Sequence, residues 1–218
     1  MRISELSRRS GVPVPTVKYY LREGLLKPGR LTAATQAQYD EHHVQRLRLI
    51  RALTEVGGLA LATIRRILDA IDDERLSLHQ LLGQAHYALS SNVGCAAAEP
   101  GWTDARTQVD KLLDELGWEV TKHAPARDEL TRAVLALHHL GAPTAVEDLR
   151  PYAKAAHSIA AHELARLAEA RDAGDHTGKL VHQSVIGTVL YEPVLLALRR
   201  LAQEHESAQQ LQPTLPEV

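Results

Sequence analysis

The spacing of apolar and polar positions predicts helices along nearly the whole chain. Residues 3–10 place Leu6 inward and Arg8 and Arg9 outward, with Ser4 set to cap the helix and Gly11 supplying a turn that favours positive φ. A second helix is expected from Val14, because Pro13 and Pro15 fall in a first turn whose amides lack intrahelical partners anyway. It turns Thr16, Lys18, Tyr19 and Arg22 to solvent and stops at Gly24. Asp40 caps a third helix, whose Val44, Leu47, Ile50 and Leu53 form an inward stripe ending at Val56-Gly57-Gly58, and Leu61, Ile64, Ile67 and Ile71 mark a fourth. The arginines of these two helices, Arg46, Arg48, Arg51, Arg65 and Arg66, read individually as solvated faces and together as part of a basic footprint.

Downstream, Ser77 and Gln80 make a capping box before a helix that carries Leu78, Leu81, Leu82, Ala85 and Leu89 on one side. Residues 91–101 read as a linker. Val109, Leu112, Leu113 and Leu116 then follow helical spacing up to Gly117, and Pro125 opens a helix with Leu130, Val134 and Leu137 inward and Gly141 after it. Thr144 with Glu147 suggests another capping box, and residues 152–172 continue as a long Ala-rich helix after Pro151. Residues 180–205 are strongly apolar, Pro193 within them calls for a kink or break, and the chain is expected to fray from Ser207. Only residues 29–39 need β structure. The fold class is therefore mainly α, ending in an all-α helical bundle.

Composition changes this picture in one respect. The formal net charge of the 218 residues is -2, yet residues 1–70 carry 12 Lys plus Arg against 6 Asp plus Glu, leaving the remainder strongly acidic. The first third can attract phosphate and the rest cannot. The lone Cys95 excludes an internal disulfide framework, no uninterrupted apolar stretch is long enough for a membrane span, and no signal-like start is present, so a cytoplasmic setting without membrane partners is expected.

Two short helices joined at Gly11, with cations, a phenol and a hydroxyl on the second, form a helix-turn-helix pattern that lays its second helix in the major groove of DNA. Over residues 3 to about 71 the chain resembles the MerR family of bacterial transcription regulators, through VKYYLREGLLKPGR, the later Tyr39-Asp40, the block VQRLRLIRAL and the block IRRIL. The resemblance implies a winged helix-turn-helix with a small β wing, a linking helix that pairs with its copy in a second subunit, and action on double-stranded promoter DNA beside RNA polymerase. It implies DNA contacts from Ser4, Arg8, Val14, Pro15, Thr16, Lys18, Tyr19, Arg22, Lys27, Arg30, Gln36 and Gln38, and dimerisation through Leu78, Leu81, Leu82, Ala85 and Leu89. The expected organisation is a DNA-binding domain at 1–73, a linking helix and loop at 74–101, an effector domain at 102–206 and a tail at 207–218. Two departures stand out. Lys18 replaces the arginine usual before the paired tyrosines, keeping charge without the bidentate fork. The wing carries Thr35, Gln36, Ala37 and Gln38 where an aromatic and an arginine are common, so its phosphate contacts rest on Arg30 and neutral donors.

The acidic part offers little catalytic chemistry. Its histidines are not spaced as a helical metal clamp, and neither a nucleophile elbow, a Gly-rich phosphate loop nor HExxH occurs, so no enzyme activity, metal or cofactor is expected. Cys95 has no partner thiol and no neighbouring cation. In 185–198, Thr188, Tyr191 and Glu192 interrupt a segment apolar enough to be buried on nearly all sides, and with Tyr152 and His182 they are the candidate contacts to a small-molecule effector. The expected function is a homodimeric, sequence-specific regulator with such an effector. The alternative is a small-molecule sequestering protein with autoregulatory DNA binding.

Overall fold

The computed structural model describes all residues except 34–35, 74, 76, 90–98, 143, 175–176 and 212–218, and omits the side chains of 33, 78, 81, 82, 85, 88, 177–179, 181, 182, 185 and 211. Cys95 and most of the expected linker lie outside the described residues. The fold is mainly α with one small sheet. The chain forms two compact units, one of residues 1–74 with 182–218 and one of residues 75–181.

In the first unit, α1 (Ile3–Ser10) and α2 (Val14–Arg22) are joined by a turn held by two serine hydroxyls. Ser10 Oγ donates to the Leu6 carbonyl at 2.7 Å and accepts from the Val12 amide at 3.3 Å, while Ser7 Oγ donates to the Val12 carbonyl at 2.6 Å. Gly11 sits at φ +72° in the left-handed region, and a Cβ there would lie 2.5 Å from Arg51 Nη1. Ser4 is not the cap that its sequence position suggests. The helix starts two residues earlier, with Arg2 at the N-cap and no side-chain bond, which leaves Ser4 exposed in the first turn.

The wing is an antiparallel pair, β1 (Arg30–Ala33) and β2 (Gln36–Gln38), with Arg30 opposite Gln38 and Leu31 opposite Ala37. It is pinned at its base, where a Cβ on Gly29 would meet the Gln38 carbonyl at 2.5 Å. Helix α3 (Glu41–Glu55) starts at Asp40 as expected, and His43 closes its first turn: Asp40 Oδ1 accepts from the His43 amide at 3.2 Å and lies 2.6 Å from His43 Nδ1. Helix α4 (Leu61–Asp72) follows. The core of this unit joins Leu6, Val17, Leu25, Leu26, Val44, Leu47, Ile50, Leu53, Ile64, Ile67 and Leu68, all under 3 % exposed.

Arg46 departs from the expectation of a solvated side chain. Its guanidinium donates from Nη1 and Nη2 to the Asp72 carboxylate at 3.1 and 3.2 Å and from Nε to the Leu25 carbonyl at 3.1 Å. Burial works against its charge and Asp72 restores it. One side chain thereby ties the middle of α3 to the end of α4 and to the segment after α2.

In the second unit, α5 (Leu78–Leu89) opens with the predicted capping box, Ser77 N–H donating to Gln80 Oε1 at 2.9 Å and Gln80 N–H to Ser77 Oγ at 3.2 Å. Helices α6 (Trp102–Leu116) and α7 (Pro125–His139) enclose Ala105, Val109, Leu113, Val134 and Leu135, with Trp102, Trp118, Leu130 and Leu149 packed around them. Leu137 is exposed, not inward: it lies roughly 200° around the helix from Leu135, and Thr131 fills the inward position while donating to the Arg127 carbonyl at 2.7 Å. Helix α8 (Val146–Asp172) begins before Pro151 and runs through it. Its first turn is closed by the Asp148 carboxylate, which accepts from the Ala145 amide, so the frame is one residue later than Thr144 with Glu147.

Helix α9 (Thr177–Leu211) excludes a break at Pro193 and corrects the expected fraying from Ser207. It continues through Pro193, where the ring removes one backbone bond, and it extends past Ser207. From residue 182 it belongs to the first unit, where Val189 is buried and approaches so closely that a Cβ on Gly57 would lie 2.7 Å from Val189 Cγ1. Replacing Asp72 by Ala strands the Arg46 charge, with an expected loss of about 2 kcal/mol in urea unfolding. Lys27→Ala, which removes only an exposed partner 3.4 Å from Asp72, should change stability by less than about 0.5 kcal/mol.

Candidate nucleic-acid interface

The sequence of α1 and α2 leaves several cationic and polar groups exposed or half-buried on the first unit. Pro13 at the N-cap and Pro15 in the first turn leave no side-chain cap on α2, and Val17 and Tyr20 turn inward, which directs Lys18 outward and leaves Thr16 and Tyr19 half-buried. The Arg22 guanidinium carbon lies 5.3 Å from the Tyr19 ring centroid, a cation–π stack one helical turn along, and the Tyr19 and Tyr20 rings are 5.9 Å apart. Tyr20 is held by burial, which raises its phenol above its ordinary pKa, against a hydrogen bond with Thr54 that lowers it. Tyr19 is the phenol left at the surface.

The arginines and lysines of this unit do two different jobs. Arg9 pairs with Glu41 at 2.6 Å, and Arg48 donates to the Arg9 carbonyl at 2.9 Å, so both fasten α1 to α3. Arg65 donates to the Glu23 carbonyl at 2.7 Å and to its carboxylate at 3.3 Å, capping α2 from α4. Arg51 pairs with Glu55 along α3 at 2.8 Å. Among the described residues, Arg8 and Lys18 make no ion pair, and both are exposed. Arg22 is partly neutralised by Glu23 at 3.7 Å, and Lys27 shares Asp72 with Arg46.

At the wing, Arg30, Gln36 and Gln38 are exposed together, and Arg30 Nη2 reaches Gln38 Oε1 at 3.5 Å. Leu31, between them on β1, is 75 % exposed. Sequence reasoning did not single out Leu31; alternation along a two-stranded wing was the available signal. Thus Arg8, Lys18, Tyr19, Arg22, Arg30, Gln36 and Gln38 are surface groups of one unit, with Ser4 and Pro15 exposed and Val14 and Thr16 half-buried beside them.

This geometry agrees with the comparisons. The family described as MerR HTH family regulatory protein matches residues 1–71. The chain is 40 % identical over 105 residues to the HTH-type transcriptional regulator MerD of Acinetobacter calcoaceticus, covering 45 % of this chain and 87 % of that protein. The chain belongs to the MerR family. It is a DNA-binding transcription regulator of that type. It is also 41 % identical over 81 residues to the nodulation protein NolA of Bradyrhizobium sp. (strain NC92), of which it covers 32 %. The crystal structure of SCO5550 from Streptomyces coelicolor A3(2), described as a candidate transcriptional regulator, aligns with a TM-score of 0.74 at 41 % identity, over 96 % of this chain and 97 % of that one.

The remaining candidate residues are more scattered. Tyr152 on α8 is 60 % exposed and Tyr191 on α9 is 47 % exposed. Glu192 is exposed and Thr188 half-buried, so the segment around them is not enclosed on all sides as its composition suggests. The His182 side chain lies outside the described residues. A surface depression in the second unit is lined instead by Gln80, Gly83, Gln84 and Tyr87. Of the dimerisation candidates, Leu89 is half-buried, and the side chains of Leu78, Leu81, Leu82 and Ala85 lie outside the described residues. Among the described residues no cluster of potential metal ligands occurs, and no helix is long and apolar enough to cross a membrane.

Asp40 joins the wing to α3 and gives this surface a pH dependence. Its carboxyl is held below the ordinary aspartate value, chiefly by the hydrogen bond with the His43 side chain. The stabilisation is therefore complete above the ordinary carboxylate range and is lost as pH falls through the lowered value. Asp40→Ala should cost about 1 kcal/mol at neutral pH, and its melting temperature should converge on that of the unsubstituted chain as pH falls below the ordinary carboxylate range.

Proposed function

We propose that the chain acts as a homodimer on pseudo-palindromic promoter DNA, beside RNA polymerase, and that a small-molecule effector acting through its helical second part sets its output. The supporting observation is the partition of cations in the DNA-binding unit. Arg8 and Lys18 stay free next to the Tyr19–Arg22 stack while their neighbours are consumed in holding the helices together. Free cations on and beside the second helix suit phosphate contact, and the Tyr19 phenol and Thr16 hydroxyl suit base edges or sugar–phosphate oxygens. The DNA contacts read from the sequence, from Ser4 through Gln38, remain the proposed interface, with residues 1–73 as its domain.

The proposed effector domain is 102–206, linked through 74–101, with 207–218 as a tail. In this reading an effector shifts the relative setting of the two recognition helices, and the energy of deforming promoter DNA turns that shift into altered transcription. Tyr152, His182, Thr188, Tyr191 and Glu192 remain candidate effector contacts.

The test is selection of genomic fragments by the full-length protein at physiological salt, followed by binding measured against salt concentration. A shared pseudo-palindrome is expected; recovery of unrelated fragments overturns the sequence-specific reading. Lys18→Ala should lower the magnitude of the log–log salt slope by about 1, because one phosphate contact is lost. Arg9→Ala should leave that slope unchanged while reducing stability by up to about 1 kcal/mol.

A further inference from the structure

The wing carries one side chain that the fold does not use. Its register sets Arg30 opposite Gln38 and Leu31 opposite Ala37, so strand alternation puts Arg30 and Gln38 on one face of the ribbon and Leu31 and Ala37 on the other. Leu31 is 75 % exposed, and Ala37 across from it is too small to cover it. A single bare leucine elsewhere on a surface needs no explanation. On an open two-stranded ribbon it is a liability, because apolar groups beside unpaired strand edges invite other chains, and a threonine would form the same strand. The surroundings say what covers it. Arg30, Thr32, Gln36 and Gln38 are all exposed, and no acidic residue occurs from Lys27 to Tyr39, so the ribbon suits a polyanion.

We infer that Leu31 enters the minor groove of the bound duplex and discriminates there against the 2-amino group of guanine. The polar wing contacts proposed above, from Arg30, Gln36 and Gln38, hold phosphates and sugars and carry no sequence information of their own. Leu31 is a contact of another kind. A B-form minor groove is about 6 Å wide, too narrow for two strands and open to one side chain. A ribbon set over its rim holds the phosphates with its polar face while its other face sends Leu31 toward the base edges. The floor is then read by exclusion. A·T and T·A pairs present only acceptors, whereas a G·C pair projects an amino donor, which a leucine strips of water without offering it an acceptor. An isobutyl group has no means of telling A·T from T·A, so the preference is for base-pair type and not for orientation. Because no charge is added, this discrimination leaves the salt dependence of binding untouched. The inference deepens the proposed DNA interface and rests on the wing being part of it.

The experiment measures, by fluorescence anisotropy, the affinity of the full chain for two alternating duplexes, one of inosine–cytosine and one of guanine–cytosine pairs. The two present the same major groove and differ in the minor groove only by the 2-amino group. The unsubstituted chain is expected to prefer the inosine duplex by roughly tenfold. Leu31→Ala and Leu31→Gln are expected to bind the two duplexes equally, with the salt slope and melting temperature of the parent. A parent without the preference overturns the inference, as do variants that retain it, since it then comes from the stiffness of the duplexes or from another residue. A Leu31 variant with a lowered melting temperature also overturns it, by making the side chain a part of the fold. Selection of genomic fragments keeps the two readings apart. A Leu31-dependent preference without a shared pseudo-palindrome overturns the site-specific regulator and leaves the minor-groove contact standing. A shared pseudo-palindrome in which guanine and inosine are interchangeable at every position does the reverse.

Discussion

Helix α3 is the constraint on which the DNA-binding unit depends. Val44, Leu47, Leu49, Ile50 and Leu53 are all at most 3 % exposed, so the helix is buried over more than one face, and yet it carries Arg46 in its middle. A guanidinium in that position has to be compensated, and the compensation fixes geometry. Asp72 at the end of α4 and the Leu25 carbonyl after α2 are the two acceptors, so the same side chain that needs neutralising also locks α4 and the post-α2 segment onto α3. Arg9 and Arg48 repeat the device on the other side, between α1 and α3. The second helix is thereby held from both flanks, and its exposed face is presented by a rigid support rather than by its own short length. Nine residues would be marginal as an isolated helix.

That economy changes what the basic composition of the first third means. Twelve lysines and arginines in residues 1–70 suggest a broad electrostatic footprint. Arg9, Arg46, Arg48 and Arg65 are structural, Arg51 is paired along its own helix, and Lys27 and Arg22 are shared with Asp72 and Glu23. Among the described residues, the charge open to phosphate without breaking an ion pair includes Arg2, Arg8, Lys18 and Arg30, the last of which is only loosely held by Gln38. A small number of free cations beside a stacked Tyr19–Arg22 pair favours positioning by a few contacts over indiscriminate attraction.

The parts of the fold legible in the sequence were those set by local rules. The Asp40 cap, the Ser77–Gln80 box, the left-handed Gly11 and Gly117, and the inward stripe of α3 each follow from spacing over one or two turns, and each was found where expected. Roles set by partners distant in sequence were not legible. Arg46 meets Asp72 across 26 positions, and nothing in either neighbourhood announces the pair. Likewise Thr131 replaced Leu137 as an inward residue because the face of α7 that meets Ala105, Val109 and Leu113 is set by tertiary packing and not by apolarity alone. Of the candidate interface, the surface position of Lys18, Tyr19 and Arg22 was readable from helix periodicity, while the division between free and structural arginines needed the tertiary fold.

Helix α9 shows why apolar composition alone misled. A segment rich in Val and Leu around Pro193 reads as buried, and a proline there reads as a kink or break. Two separate apolar faces give the same composition as one helix buried all round. The distinction lies in where charge falls: Glu192, Arg199 and Arg200 keep one sector of the helix wet, which a fully buried helix would not tolerate. A proline within such a helix removes a single backbone bond, and the side-chain packing of its neighbours can outweigh that loss. With Val189 seated on Gly57, the helix is already oriented by the DNA-binding unit, so any force applied to its exposed face acts on that unit through a rigid element and not through a flexible tether.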